Sequence, residues 1–306
     1  MKHILISVNP KAGRSSPMLR AEELQKRLAD KGFAVELGTD LGEITGKANE
    51  LQKAGELRAL VGVGGDGTAA ELVNRTEPGT PIILLAAGTA NLLSKHFRWG
   101  STPRRLAETI EKGKTITLDA GKANGRLFLV MVSCGFDAYT VQQVHAYREE
   151  NYRKGAKKGA HISYFSYIRP IWNSIFGYKY PKMRIETNDN ETITEDARWA
   201  FVFNLNRYGW GLPLAPYAVG DDGQLDLCAM NGGSLFSGIK YTAFAQFGSL
   251  HRHLSDVKLT QAKRFIISAD TSYEEPIPYQ LDGDPGGKLP VEVEIVEKRL
   301  SLITNY

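Results

Sequence analysis

Apolar and polar positions change their rhythm once along this chain. In the N-terminal third, short unbroken apolar runs alternate with stretches of helical spacing, whereas beyond residue 115 short runs mostly follow one another directly. His3–Val8, Phe33–Leu37, Leu60–Val63 and Pro81–Ala87 are apolar and partly β-branched, which suits strands buried on both faces. Between them, Pro17–Asp30 reads as a helix with a proline near its start, Leu41–Ala54 as a moderately amphipathic helix, and Ala69–Val73 as a helix with Thr68 as its N-cap. A further helix opens after Gly88. Strand and helix alternating four times predict an α/β domain with a mostly parallel sheet.

Around Thr115 the pattern turns to strands. Thr115–Ala123 and Arg126–Ser133 flank Asn124-Gly125, a strong hairpin signal. A long helix opens at Gly135-Phe136-Asp137-Ala138 and is followed by a second. Gly155 to Gly159 breaks the pair, and Ile162, Phe165, Trp172, Ile175 and Phe176 recur near helical spacing. Short strands follow at Met183–Thr187, Trp199–Leu205 and Leu225–Met230, then a helix at Leu235–Leu250, and Val291–Ile295 and Leu300–Ile303 alternate as edge strands. This half predicts a β-rich, antiparallel C-terminal domain.

A chain of 306 residues supports two domains with their own cores, and 42% hydrophobic with 24% charged residues is ordinary for a globular protein. Cys134 and Cys228 are the two cysteines, both in apolar surroundings, so no disulfide framework is expected. The opening residues lack the apolar run of a signal peptide, and no window approaches the ~20 apolar residues of a membrane span. A cytoplasmic location is expected. Charge is unevenly spread: His145 to Arg184 holds nine Lys/Arg against Glu149 and Glu150, while the whole chain carries only +4. Cations beside many aromatic residues describe a segment that rests on an anionic bilayer, with a core stripe as the plainer reading. Nucleic acid is not an expected partner, and homodimer formation stays open.

Candidate chemistry centres on Leu60-Val61-Gly62-Val63-Gly64-Gly65-Asp66-Gly67-Thr68. A strand entering a glycine turn and then a helix presents unpaired N–H groups and the positive end of a helix dipole to an anion. No lysine follows, which excludes a Walker A loop, although Gly62, Gly64 and Gly67 fit a G-x-G-x-x-G register. Asp66 would repel bare phosphate, so its presence points to a metal ion or a proton transfer.

Gly64-Gly65-Asp66-Gly67-Thr68 resembles the GGDGT signature of the diacylglycerol kinase catalytic domain, which is shared with sphingosine kinases and more distantly with NAD kinases and phosphofructokinases. Asn9 to Gly13 resembles the family's N-P-x-x-G loop over the nucleotide phosphates, and Thr39 its nucleotide-contacting threonine. Gly88-Thr89-Ala90-Asn91-Leu92-Leu93 resembles G-T-x-N-D-F/L, with Leu92 in place of aspartate. The resemblance implies an NAD kinase/phosphofructokinase-like α/β domain over residues 1–115, to which the tail 290–306 returns. A β-rich lipid-substrate domain takes up 116–289. It implies ATP and Mg2+, with Asn9, Thr39, Gly64, Gly65, Asp66, Gly67, Thr68, Glu71 and Thr89 on the nucleotide. Asp221-Asp222-Gly223-Gln224-Leu225-Asp226 resembles D-D-G-x-L-D, which in the family holds magnesium. The matching ligands are Asp222 and the carbonyls of Val219 and Gln224. Gln280-Leu281-Asp282-Gly283-Asp284 resembles x-D-G-E with aspartate for glutamate, and implies a general base at Asp282 or Asp284, both facing the cleft between domains, with Asp66 next in line.

The activity implied is ATP-dependent phosphoryl transfer to a lipid hydroxyl at an anionic membrane surface, on diacylglycerol or a related lipid alcohol. An NAD kinase-like enzyme with a soluble substrate and a nucleotide-binding regulator without catalysis are the alternatives.

Overall fold

A computed structural model of the protein describes residues 2–10, 16–88, 91–153, 178–188, 191–209, 211–271 and 273–305. The chain separates into two compact units, residues 1–119 with 297–306, and residues 120–296.

In chain order the first unit contains β1 (His3–Val8), α1 (Pro17–Ala29), β2 (Ala34–Gly38), α2 (Leu41–Lys53), β3 (Leu57–Gly64), α3 (Asp66–Arg75), β4 (Pro81–Ala86), α4 (Leu92–His96) and α5 (Pro103–Lys112). β5 (Lys114–Ala123) carries the chain into the second unit. There follow β6 (Arg126–Phe128), β7 (Met131–Gly135), α6 (Phe136–Arg153), β8 (Met183–Thr187), β9 (Thr192–Ala197), β10 (Trp199–Phe203) and β11 (Leu225–Met230). Next come α7 (Leu235–Gln246), a 3₁₀ turn (Leu250–His253), β12 (Val257–Ala262), β13 (Arg264–Ala269), β14 (Pro278–Leu281) and β15 (Asp284–Lys288). β16 (Val291–Thr304) brings the chain back to the first unit.

The first unit is a parallel sheet in the order β2-β1-β3-β4, with the end of β16 added beside β4 through Ser301 and Leu302. Helices account for the burial of both faces, which is why its strands read as unbroken apolar runs. α1 turns Ala21, Leu24 and Leu28 inward, and α5 turns Leu106, Ala107 and Ile110. The starts of α1 and α2 are capped by the Ser16 hydroxyl, which accepts the Leu19 N–H at 3.4 Å, and by Asp40, which accepts that of Glu43 at 2.9 Å. Trp99 Nε1 donates to the Ile303 carbonyl at 2.7 Å and so anchors the returning strand.

The second unit packs two antiparallel sheets around one core. One contains the start of β16, then β13, β8 and β9; the other runs β12-β11-β10-β7-β14-β15. Phe128, Val132, Ile185, Val202, Leu227 and Phe265 meet in the interior. The Asn124-Gly125 hairpin forms as expected, both residues at positive φ (44° and 87°) as a type I′ turn requires.

Three elements depart from the sequence reading. The run Arg126–Ser133 is two strands in different sheets, because the N–H groups of Leu129, Val130 and Met131 turn to the Asp282 carboxylate. The two tail strands are one strand, β16, flanked by partners where edge strands were expected; alternating Glu292 and Glu294 gave it an edge-like pattern. The helix from Leu235 stops at Gln246, where Phe247, Gly248 (φ 72°) and Ser249 (φ 58°) leave helical geometry. The basic-aromatic segment at 154–177 lies outside the described residues.

Candidate active site

The order β2-β1-β3-β4 changes direction between β1 and β3. In such sheets the loops leaving the carboxyl ends of these two strands diverge and open a crevice for ligands. Asn9 leaves β1 there, and Gly64 and Gly65 leave β3; Thr39 follows β2 and Gly88 follows β4. Asn9 Nδ2 donates to Thr68 Oγ1 at 3.4 Å, which joins the two loops that the sequence singled out. The glycines are needed for closeness. A Cβ on Gly64 would lie 2.0 Å from Thr68 Oγ1, and one on Gly88 2.6 Å from the Gly65 Cα.

α3 begins at Asp66, with Gly65 as its N-cap and no side-chain bond closing the end. Thr68 is therefore not the cap that the sequence suggested: it sits in the first turn, buried, and bonded to Asn9. An uncapped helix start in a glycine turn leaves first-turn N–H groups to an anion. Asp66 is only 8% exposed, and burial pushes its carboxyl above the usual carboxylate range. Bonds from the N–H groups of Leu92 (2.9 Å) and Leu93 (3.1 Å), and the charge of Lys95, pull the other way. Asp66 thus caps α4 from a distance. Asn91 instead clasps Gly88, accepting its N–H at 3.0 Å and donating to its carbonyl at 2.8 Å. At Leu92 the backbone N–H makes the polar contact, so an apolar side chain is accommodated. Glu71 pairs with Arg75 at 3.1 Å on the outer face of α3. Thr89 and the loop 11–15 lie outside the described residues.

The second unit carries a separate cluster of acids. Asp282 (φ 50°) and Gly283 (φ 91°) form the tight turn between β14 and β15. This geometry sends the two aspartates to different surroundings, not to one shared face. The Asp282 carboxylate accepts the N–H groups of Leu129 (2.7 Å), Val130 (2.9 Å) and Met131 (2.9 Å). Asp284 lies 3.6 Å from His145 Nε2 and 3.8 Å from Arg126, half-buried. Gln280 joins this turn to a group that sequence reasoning missed. Its Oε1 accepts the Gly283 N–H at 2.7 Å, and its Nε2 donates to Ser133 Oγ at 2.8 Å and to Asp137 at 3.1 Å. Asp137 also accepts from Ser133 and from the Tyr208 hydroxyl. Burial, reinforced by the Asp137 charge, raises the Tyr208 hydroxyl well above its ordinary range. The Gly135-Phe136-Asp137-Ala138 segment was the one available signal, and it was read for its helix only.

At the expected metal position Asp222 is exposed. Its Oδ1 accepts the Gln224 N–H at 3.1 Å, as in an Asx turn, and its Oδ2 faces Gln261 at 3.4 Å. One carboxylate with the carbonyls of Val219 and Gln224 is an all-oxygen set of the kind a hard cation takes. Among the described residues no three His, Cys, Asp or Glu side chains cluster to hold a metal without such carbonyls. Nearby Asp226 is buried, and desolvation with the Asp222 charge pushes its carboxyl up to about 6, against a bond from Gln261.

Of the basic residues counted in sequence, Lys179 pairs with Glu275, Lys182 with Asp196, and Arg184 with Glu186 and Glu195. Arg153 ends α6, and Lys154, Lys157, Lys158 and Arg169 lie outside the described residues.

Residues 3–123 match the diacylglycerol kinase catalytic domain, and residues 130–304 match the YegS C-terminal NAD kinase beta sandwich-like domain. The chain belongs to the diacylglycerol kinase family. It is a kinase of this type. The diacylglycerol kinase of Staphylococcus epidermidis is 26% identical over 268 residues, covering 86% of this chain and 79% of that protein. That of Bacillus subtilis is 24% identical over 302 residues, covering 95% and 93%. A diacylglycerol kinase structure from Bacillus anthracis superposes with a TM-score of 0.65 at 20% identity over 99% of this chain and 97% of that one. An NAD kinase from Archaeoglobus fulgidus in complex with ATP reaches 0.52 at 13% identity over 100% and 94%. These two likenesses concern the fold, an α/β unit with a mostly parallel sheet and a β-sandwich-like unit.

Proposed function

We propose that the protein is an ATP-dependent lipid kinase that transfers the γ-phosphoryl group to a hydroxyl of diacylglycerol or a related lipid alcohol. The observation that carries this reading is the uncapped start of α3 in a glycine turn at the β1/β3 crevice, linked to the β1 loop through Asn9 and Thr68. Family membership and the ATP-bound NAD kinase of like fold support ATP as donor. In the transfer, the acceptor oxygen forms its bond to the γ-phosphorus as the bond to the β–γ bridging oxygen breaks. ADP leaves with that electron pair, and the hydroxyl proton passes to a carboxylate. Asp284 is the better candidate for this base, since the three N–H groups on Asp282 give that carboxylate a structural task. Phosphoryl transfer asks mainly for position and electrostatics, which loops and acids supply. Mg2+, when bound to the nucleotide, offsets the charge on its phosphates; a second ion at Asp222 and the Val219 and Gln224 carbonyls would brace the turn before β11. No helix among the described residues is long and apolar enough to cross a membrane. In this reading the enzyme meets its lipid peripherally, at an anionic membrane surface.

The test is incubation with γ-labelled ATP and Mg2+ against detergent-dispersed diacylglycerol, sphingoid base and phosphatidylglycerol, with NAD as the soluble rival. Label in a lipid phosphate is expected. Label in NAD alone, or in no acceptor, overturns the reading.

A further inference from the structure

α7 is apolar on both sides. Tyr241 and Ala245 face the core, while the opposite side carries Phe236 (82% exposed), Ile239 (58%) and Phe244, and the next residues add Phe247 (72%) and Leu250. An α-helix in a folded domain ordinarily turns polar residues outward, and a cluster of large apolar side chains in water marks an interaction face. The chain then enters the 3₁₀ turn, where Arg252 and His253 are exposed, and continues to Lys258 at the sheet edge. Arg252 bonds the Tyr217 hydroxyl at 2.7 Å and His253 Nε2 at 3.1 Å, and Lys258 bonds the Ile193 carbonyl at 2.7 Å. Neither of the two cations, Arg252 and Lys258, pairs with an acid among the described residues. They line a cleft of about 730 Å³, in whose described lining Glu191 is the one acid.

We propose that α7 and the turn after it form a docking face for an anionic lipid bilayer. Phe236, Ile239, Phe244 and Phe247 enter the interface, and Arg252, His253 and Lys258 meet the headgroups. Charge complementarity selects this occupant. An apolar helix side continuous with a cationic rim matches an anionic bilayer in both parts. A second copy of the chain, packed about a two-fold axis, would bring like charges together around the same patch. The inference rests on the reading of the acceptor as a membrane lipid, but it assigns the contact to a face that the sequence did not single out.

The experiment is co-sedimentation without nucleotide, using vesicles of two parts phosphatidylcholine to one part phosphatidylglycerol and vesicles of phosphatidylcholine alone. Phe236→Ser with Phe247→Ser should weaken binding to the mixed vesicles roughly a hundredfold, as expected for two aromatic side chains withdrawn from an apolar phase. Arg252→Gln with Lys258→Gln should weaken it roughly thirtyfold on the mixed vesicles and leave binding to the neutral ones unchanged. All four positions are exposed, and none belongs to the acid cluster or to the glycine turn. Phosphoryl transfer to detergent-dispersed lipid should therefore match the wild type, which separates failure of this face from failure of the kinase reading. Unchanged vesicle binding in both double variants overturns the proposal. So does a Phe236→Ser, Phe247→Ser variant that loses a dimer in sedimentation equilibrium while binding vesicles as before, since the face would then belong to a second copy.

Discussion

The turn Asp282-Gly283-Asp284 offers two acids one residue apart, and their surroundings predict opposite consequences when each is neutralised. Leu129, Val130 and Met131 are at most 3% exposed, so water cannot replace the Asp282 carboxylate on their N–H groups. A buried donor left without an acceptor costs about 1–3 kcal/mol. Asp282→Ala strands three, and should cost about 3–9 kcal/mol, a large share of a typical domain's stability. Asp282→Asn keeps one oxygen for Val130 and Met131, which share Oδ1, but turns an amide NH2 toward the Leu129 N–H, and should cost about 1–3 kcal/mol. Asp284 is half-buried with partners at 3.6 and 3.8 Å, contacts worth less than about 1 kcal/mol. Asp284→Asn should leave stability within about 0.5 kcal/mol and lower kcat by ~10²–10⁴-fold with nucleotide affinity unchanged. Asp284→Glu should retain activity. Urea unfolding followed by tryptophan fluorescence gives the first quantity, and initial rates of lipid phosphorylation per folded molecule give the second. If Asp282→Asn unfolds at the wild-type urea concentration yet loses more than a hundredfold in rate, Asp282 is the base and its three bonds are incidental.

Three other outcomes follow from the same geometry. Asp66→Asn should stay folded at a cost of about 1 kcal/mol, because the amide serves one of the two α4 N–H groups, while turnover falls at least ~10²-fold; wild-type turnover would reduce Asp66 to a cap for α4. Gly88→Ala places a methyl 2.6 Å from the Gly65 Cα and should force the two loops apart, costing about 1–3 kcal/mol and weakening ATP binding in calorimetry. His251 is buried with Nε2 on the Leu214 carbonyl and Nδ1 without a partner among the described residues, and burial holds its imidazole below the usual 6.5. Its contribution is complete above that value and declines below it, as the unfolded chain takes up the proton first. Wild type should lose stability as the pH falls from about 7.5 to about 5.5, and His251→Gln should remove that part of the slope in denaturant titrations.

Most of the first unit was legible because its strands are buried on both faces. His3–Val8 was placed to the residue, and the strand–glycine–helix sequence after Leu60 located the crevice. α5 escaped notice although Thr102 and Pro103 give it a regular start. In the second unit the period-2 signal failed where side chains serve two masters. β12 mixes half-buried with exposed residues, and in β13 the apolar Ile266 stands between the buried Phe265 and Ile267, so neither leaves a clean apolar–polar alternation in the sequence. Asp282 lay outside any local rule: Asp-Gly predicts a turn, but the partners of its carboxylate are more than 150 residues earlier in the chain. The Asp137 group is likewise assembled from three separate segments, Ser133 with Asp137, Tyr208 and Gln280.

Charge and apolarity mislead in complementary ways. A count along the chain made 145–184 a cationic stretch, yet Lys179 is neutralised by Glu275, 96 residues away, and Lys182 and Arg184 by acids of β9. Cations with only neutral partners, Arg252 and Lys258, lie in a stretch whose local composition attracted no notice. The apolar signal is ambiguous for a related reason. A helix with one wet face shows a strong period of 3.6, as α5 does with its buried Leu106, Ala107 and Ile110. α7 has Tyr241 and Ala245 against the core and Phe236 and Ile239 in water, so its pattern resembles that of a wholly buried helix. Periodicity reports how many sides of an element are apolar. Whether the second side meets protein, lipid or water is decided by what the fold leaves beside it, and here that neighbour is a rim where Arg252 and Lys258 have only neutral partners.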